Sequence, residues 1–290
     1  MKIHRISHRH VFTGLLAGVI LSGCAGIHPG LQADRNVGQF SGHAMESGAE
    51  QPAGQAATQA AGQSSGQGAA AIPAGSAGDL IRSGKLVFDQ TPKYASAYVG
   101  AKLSCSDCHL QSGTMPKASP MIDLANLFPL YTERAGRVIS LQERIVECFV
   151  RSENGPPPGT DSQPIRALTA YVDWLSRDGV KGKPYSGRGL VELPELVGNA
   201  ENGKTIYKAQ CAACHGSDGA GMPPAIPPLW GPDAYNDGAG IDQPAKMAAF
   251  LQPNMPQNHP GSLTPQQAFD LGAFLHGMPR PAMNPAYKRY

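Results

Sequence analysis

Apolar residues recur at helical spacing in three stretches of the chain. In IRALTAYVDWLSR, residues 165–177, Ile165, Leu168, Val172 and Leu175 fall on one face. In PQQAFDLGAFLHG, residues 265–277, Phe269, Ala273 and Phe274 do the same. The third stretch is SLQERIVECFVRSENG, residues 140–155. Ser140 and Glu143 stand there in capping-box spacing, and Leu141, Ile145 and Phe149 give an apolar face. Arg144, Cys148 and Arg151 follow one another at i, i+4 and i+7, which puts a thiol and two guanidinium groups on one stripe. Few segments alternate as strands do. With 35 Gly and 26 Pro in 290 residues, the pattern predicts a mainly α, loop-rich fold.

The hydrophobic pattern also divides the chain. MKIHRISHRH is basic and VFTGLLAGVILSG is a short apolar run, the two parts of an export signal over 1–23. The run ends in LSGC, which resembles the bacterial lipobox, so Cys24 is expected to carry lipid and hold the protein to a membrane surface. Residues 24–78 are mostly Gly, Ala, Gln and Ser. They have too few large apolar side chains to offset ordering entropy and read as a flexible tether. The net charge of +2 becomes −1 once Lys2, Arg5 and Arg9 of the signal are taken away. That balance gives no reason to expect nucleic-acid binding.

The folded part reads as a duplication. SGKLVFDQT precedes CSDCH, and NGKTIYKAQ precedes CAACH. Two domains follow, 79–188 and 199–283, with 189–198 as linker and 284–290 as tail. Cys-x-x-Cys-His is the attachment motif of a c-type heme: two thiols add to the porphyrin vinyl groups and the histidine binds iron. Cys105, Cys108 and His109 would hold one heme c, and Cys211, Cys214 and His215 the other. Two structural zinc sites would need more Cys and His than the chain offers.

Of six cysteines, four attach heme and Cys24 takes lipid, which leaves Cys148. In the second domain Met255 lies 40 residues beyond His215. The same step from His109 ends at position 149, next to Cys148. The matched spacing points to Cys148 as second iron ligand of heme 1 and Met255 as that of heme 2. The alternatives are Met115 and Met121 for the first site, and Met222, Met247, Met278 and His259 for the second. Met247 lies in a helix-like segment and suits packing better.

RIVECFVRSENG between two CxxCH domains resembles the signature of the diheme thiosulfate dehydrogenases, and Asn254-Met255-Pro256 is similar to their distal methionine loop. The resemblance covers about 79–283. It implies two tandem cytochrome c-like domains, a His109/Cys148 heme as active site and a His215/Met255 heme for electron transfer. Some members carry lysine before the distal methionine and use it as a ligand; here the position is Asn254. The family joins two thiosulfates into tetrathionate and releases two electrons, one for each heme. Two dianions about 4 Å apart in water repel by about 4 kcal/mol. Arg134, Arg137, Arg144 and Arg151 are the candidates to offset this, and Ser152 and Asn154 complete the matched motif. The resemblance further implies that Cys148 takes up a sulfane sulfur transiently. Thiolate ligation lowers and methionine ligation raises a heme potential, so electrons would run from the first heme to the second. From there they would pass to a soluble or membrane-bound cytochrome c or similar redox protein in the periplasm.

Two other readings share these motifs. One is a pure electron-transfer cytochrome, in which Cys148 only tunes a potential. The other is the diheme subunit of a sulfur-oxidising complex that conjugates thiosulfate to a carrier cysteine.

Overall fold

The computed structural model describes residues 71–290, so the signal segment, Cys24 and most of the expected tether lie outside the described residues. The first helix, α1 (Gly75–Asp89), begins a few residues ahead of the expected start of order. It has no capping side chain at its N-terminus. Instead Arg82 donates to the Pro73 carbonyl at 3.0 Å and pairs with Asp79 at 2.6 Å. These contacts tie down a turn whose composition gives no start signal.

The first half continues through α2 (Thr91–Tyr94), α3 (Cys105–Cys108), α4 (Leu110–Gly113), α5 (Leu141–Arg151) and α6 (Gln163–Leu175). The second half holds α7 (Ala200–Gln210), α8 (Ala212–His215), α9 (Pro244–Asn254) and α10 (Pro265–His276). In each half the helix ahead of the Cys-x-x-Cys-His packs across the closing helix, α1 on α6 and α7 on α10. The glycine of the repeated Gly-Lys pair sits at both crossings. A Cβ on Gly84 would lie 2.0 Å from the Ala167 carbonyl oxygen, and one on Gly203 would lie 2.0 Å from that of Asp270. Only a residue without a side chain allows this approach.

One feature departs from the expected helix-and-loop pattern. β1 (Leu130–Thr132) and β2 (Arg137–Ile139) form an antiparallel hairpin, with Leu130 opposite Ile139. Gly136 closes its turn at φ 64°, donating to the Thr132 carbonyl at 2.9 Å. Three residues per strand are too few to show alternation. The hairpin leads straight into α5, whose Ser140–Glu143 capping box forms as its spacing predicts.

The core is apolar in both halves. Val146, Phe149 and Val150 of α5 pack with Val87 and Phe88 of α1 and with Ile165 and Leu168 of α6. Tyr207, Trp230, Leu271 and Leu275 anchor the second half. No described helix is long and apolar enough to cross a membrane.

Candidate active site

A cavity of about 1080 Å³ lies beside the first Cys-x-x-Cys-His, large for a cofactor pocket. Cys105, Cys108 and His109 line it, and so do Cys148 and Met121. His109 Nδ1 meets the Ser119 carbonyl at 2.7 Å, which leaves Nε2 free for a metal. Burial lowers the His109 pKa to about 4, so the ring stays neutral as a ligand must. Burial pushes the Cys108 thiol up to about 12, and Cys105 is raised well above the usual thiol range, by burial and then by Glu153. Uncharged sulfur suits a thioether. Two thiols, a neutral imidazole with one nitrogen engaged, and walls such as Phe88, Leu168 and Val172 fit a covalently held porphyrin.

Cys148 lies on the third turn of α5, and Arg144 Nη1 donates to its Sγ at 3.4 Å. The same Nη1 reaches Glu147 Oε2 at 3.2 Å, so one guanidinium nitrogen serves both groups. The Arg144 pKa is raised, through Cys148 first and Glu147 second, against the opposing effect of burial. Its side chain is 41% exposed, and it lines the cavity. The Glu147 side chain is only 5% exposed, an ionisable group that sequence reasoning missed. Its place directly before Cys148, and one turn after Arg144, was the available signal, because burial of such a residue requires a partner.

The other candidates separate. Arg134, in the hairpin turn, lines the cavity. Arg137 does not: its guanidinium pairs at 2.8 Å with Glu143, the carboxylate of the capping box. Ser152 lines the cavity and donates its backbone N–H to the Cys148 carbonyl at 2.8 Å. Asn154 is not part of the lining; its Oδ1 accepts from Asn236 Nδ2 at 3.0 Å. Arg151 borders the cavity, but its guanidinium donates to Gly238 and Met283 at 3.1 Å each and to the Tyr290 carbonyl. Burial lowers its proton affinity, the charge of Arg134 adds to the effect, and Glu147 opposes it.

The segment 189–198, expected as a plain linker, forms part of the same wall through Leu190, Val191 and Leu193. Lys246 and Phe250 of α9 and Tyr235 of the second half also contribute to it. The cavity is therefore built by both halves.

In the second half, His215 Nδ1 meets the Pro227 carbonyl at 3.1 Å and burial lowers its pKa. The pattern repeats that of His109. Met255 directly follows α9, with its N–H on the Leu251 carbonyl at 2.8 Å, and packs beside Leu110, Ala118 and Phe250. Of its competitors, Met222 is 59% exposed, and Met247 is buried in the core, as its helical setting predicts.

Residues 92–180 match the family described as SoxA/TsdA, cytochrome c domain, and residues 200–279 match cytochrome c. A thiosulfate dehydrogenase of Stutzerimonas stutzeri is 39% identical over 216 residues, 72% of this chain and 70% of that protein. One from Allochromatium vinosum is 36% identical over 223 residues, 73% of this chain and 83% of that protein. Among solved structures, a thiosulfate dehydrogenase (TsdBA) of Marichromatium purpuratum superposes with a TM-score of 0.68 at 34% identity. The match covers 71% of this chain and 47% of that one, so the chain spans about half the length of that structure. Two cytochrome c domains imply heme c binding, and the chain belongs to the thiosulfate dehydrogenase family of cytochrome-linked oxidoreductases.

Proposed function

We propose that the protein oxidises two thiosulfates to tetrathionate in the cavity beside Cys148. The observation that carries this reading is the contact between Arg144 and the Cys148 sulfur at 3.4 Å in a cavity also lined by His109. His109 and Cys148 would be the iron ligands of one covalent heme c, and His215 and Met255 those of the other. Bound there, the two hemes supply one-electron redox chemistry. The reaction balances without protons: two S₂O₃²⁻ give one S₄O₆²⁻ and two electrons, and a new sulfur–sulfur bond forms.

The chain's own side chains carry the rest. Arg144 and Arg134 supply positive charge where two dianions must meet, against a repulsion of about 4 kcal/mol in water and more where water is excluded. Glu147 holds the Arg144 guanidinium beside the sulfur. The apolar walls exclude water, which strengthens each of these interactions. Electrons leave through the second half to a cytochrome or similar redox protein. The same site can run toward tetrathionate reduction when potentials favour it. We further propose export to the periplasm and a lipid anchor at Cys24.

The test is direct. Thiosulfate added to the oxidised diheme protein should reduce heme, with one tetrathionate formed per two electrons delivered to an external acceptor. If thiosulfate leaves both hemes oxidised, the reading is wrong. A requirement for a carrier protein would favour the subunit of a sulfur-oxidising complex instead.

A further inference from the structure

The run Arg151-Ser152-Glu153-Asn154-Gly155 looks from its position like an extension of the active site, yet most of its polar contacts lead away from the cavity. Asn236, 1% exposed, is buried against it. Its Nδ2 donates to the Val150 carbonyl at 2.8 Å and to Asn154 Oδ1 at 3.0 Å, and its backbone N–H donates to the Arg151 carbonyl at 3.2 Å. Its Oδ1 accepts from the Gly238 N–H at 3.0 Å. Asn154 holds φ 49°, a left-handed conformation that asparagine tolerates better than most residues.

Arg151 reaches the same loop and one segment more. Nη1 donates to the Gly238 carbonyl and the Met283 sulfur, and Nη2 to the Tyr290 carbonyl. Segment and loop are themselves joined. The Asp237 N–H donates to the Pro281 carbonyl at 3.0 Å, and the Met283 N–H donates to Asp237 Oδ1 at 2.8 Å. Met283, Tyr287 and Tyr290 then pack on the core of the first half. The loop that is held this way supplies Tyr235 and Gly240 to the cavity wall.

We propose that Arg151 is a positioning residue: with Asn236 and residues 281–290 it latches the 231–240 loop of the second half onto the end of α5. The latch fixes the part of the cavity wall that Tyr235 and Gly240 supply, so it acts on substrate through the loop rather than by touching it. The planar fork is required, because three acceptors lie on two terminal nitrogens in fixed directions, and an ammonium group cannot span them. The effect on thiosulfate rests on the function proposed above, while the joint itself does not.

The experiment compares Arg151→Lys and Arg151→Gln with the parent diheme protein, by hydrogen exchange and by steady-state kinetics with thiosulfate. In both variants, amide exchange across 231–240 and 281–290 should quicken by about tenfold or more, since these amides open locally once the fork is lost. KM for thiosulfate should rise about tenfold, with kcat changed far less, and lysine should not rescue it. Exchange that stays at the parent level while KM rises, with rescue by lysine, would make Arg151 a direct anion contact and overturn the proposal. Faster exchange with unaltered KM would overturn it too, since the joint would then be structural only. Should the Arg151 variants not accumulate, Met283→Ala removes one acceptor and should move both readouts the same way by a smaller factor. If the thiosulfate reading itself fails, the parent protein shows no thiosulfate turnover, and the exchange result still decides whether the latch exists.

Discussion

The two halves build their helix crossings alike and their sulfur sites differently. In the first, Phe88 of α1 meets Tyr171 of α6 with ring centres 5.6 Å apart; in the second, Tyr207 of α7 meets Phe274 of α10 at 5.5 Å. The hydroxyl has changed sides, yet in both it donates to a carbonyl just past the Cys-x-x-Cys-His: Tyr171 to Ser112 at 2.7 Å, Tyr207 to Gly216 at 2.6 Å. Each histidine rests its Nδ1 on a carbonyl. The halves part at the residue expected on the far side of iron. Cys148 lies inside a helix with an arginine one turn before it, whereas Met255 follows the end of a helix between Asn254 and Pro256. On the function proposed above, one frame serves two tasks, and the change lies in the sulfur and its neighbours.

Removing either sulfur would break that comparison most severely. Cys148→Gly should lower kcat/KM by at least ~10³, about 4 kcal/mol of barrier, with both hemes still attached. Met255→Gly should leave thiosulfate able to reduce the first heme in a single turnover while steady-state transfer to an acceptor falls. Heme stain on a denaturing gel, stopped-flow absorbance and acceptor reduction separate the two. Equal losses in the single-turnover step would mean that the halves do not divide the work.

A smaller effect is expected from the cations. Arg144→Ala should cost ~10²-fold in kcat/KM, in line with about 1.5–3 kcal/mol for a hydrogen bond to a charged group. Arg134→Ala should cost less, because its side chain is exposed at the hairpin turn. Arg137→Ala should stay within about threefold of the parent, since its partner is Glu143 and exposed pairs contribute about 1 kcal/mol or less. The ranking is checked by kcat/KM at low and high salt. A loss in Arg137→Ala equal to that in Arg144→Ala would remove the distinction drawn between them.

The shared frame has its own test. Gly84→Ala and Gly203→Ala each drive a methyl into backbone, which should cost about 1–3 kcal/mol and several degrees of melting temperature. Calorimetry reads both. If one glycine tolerates alanine and the other does not, the crossings are less alike than their distances.

What the sequence revealed follows from which interactions are local. The capping box at Ser140, the helical stripes and the duplicated Gly-Lys lead-in are patterns over a few residues, and all correspond to features of the fold. Arg144 beside Cys148 is an i, i+4 relation and was readable in the same way. Arg151 was on the same stripe by spacing, but its three acceptors come from positions 238, 283 and 290, which no local pattern encodes. Arg137 was drawn to Glu143 by a short hairpin that shows no alternation. The cavity wall formed by 189–198 was hidden for the opposite reason: its Leu and Val residues were visible, but a linker composition says nothing about what the segment covers.

The last expected effect concerns a carboxylate beside one attachment thiol and not the other. Glu153 is 2% exposed, and the Cys105 thiol points to its Oε1 at 3.8 Å. Its pKa is raised well above the usual range, chiefly by burial and then by Asp107, itself raised to about 6 by burial. At Cys211 the raised value has burial and Cys214 as its causes, with no carboxylate among them. An acid raised on folding favours the folded state while protonated. Its contribution is complete below the unfolded value near 4.5 and is lost as pH rises toward the raised folded value. Glu153→Gln cannot ionise, so between pH 4.5 and 8 it should lose less stability than the parent, by about 1 kcal/mol or more. Melting temperatures of both proteins at the two pH values measure the difference. Parallel pH curves would mean that Glu153 finds a charge partner in the holoprotein, and the asymmetry between the two attachment sites would then lie in the ligands alone.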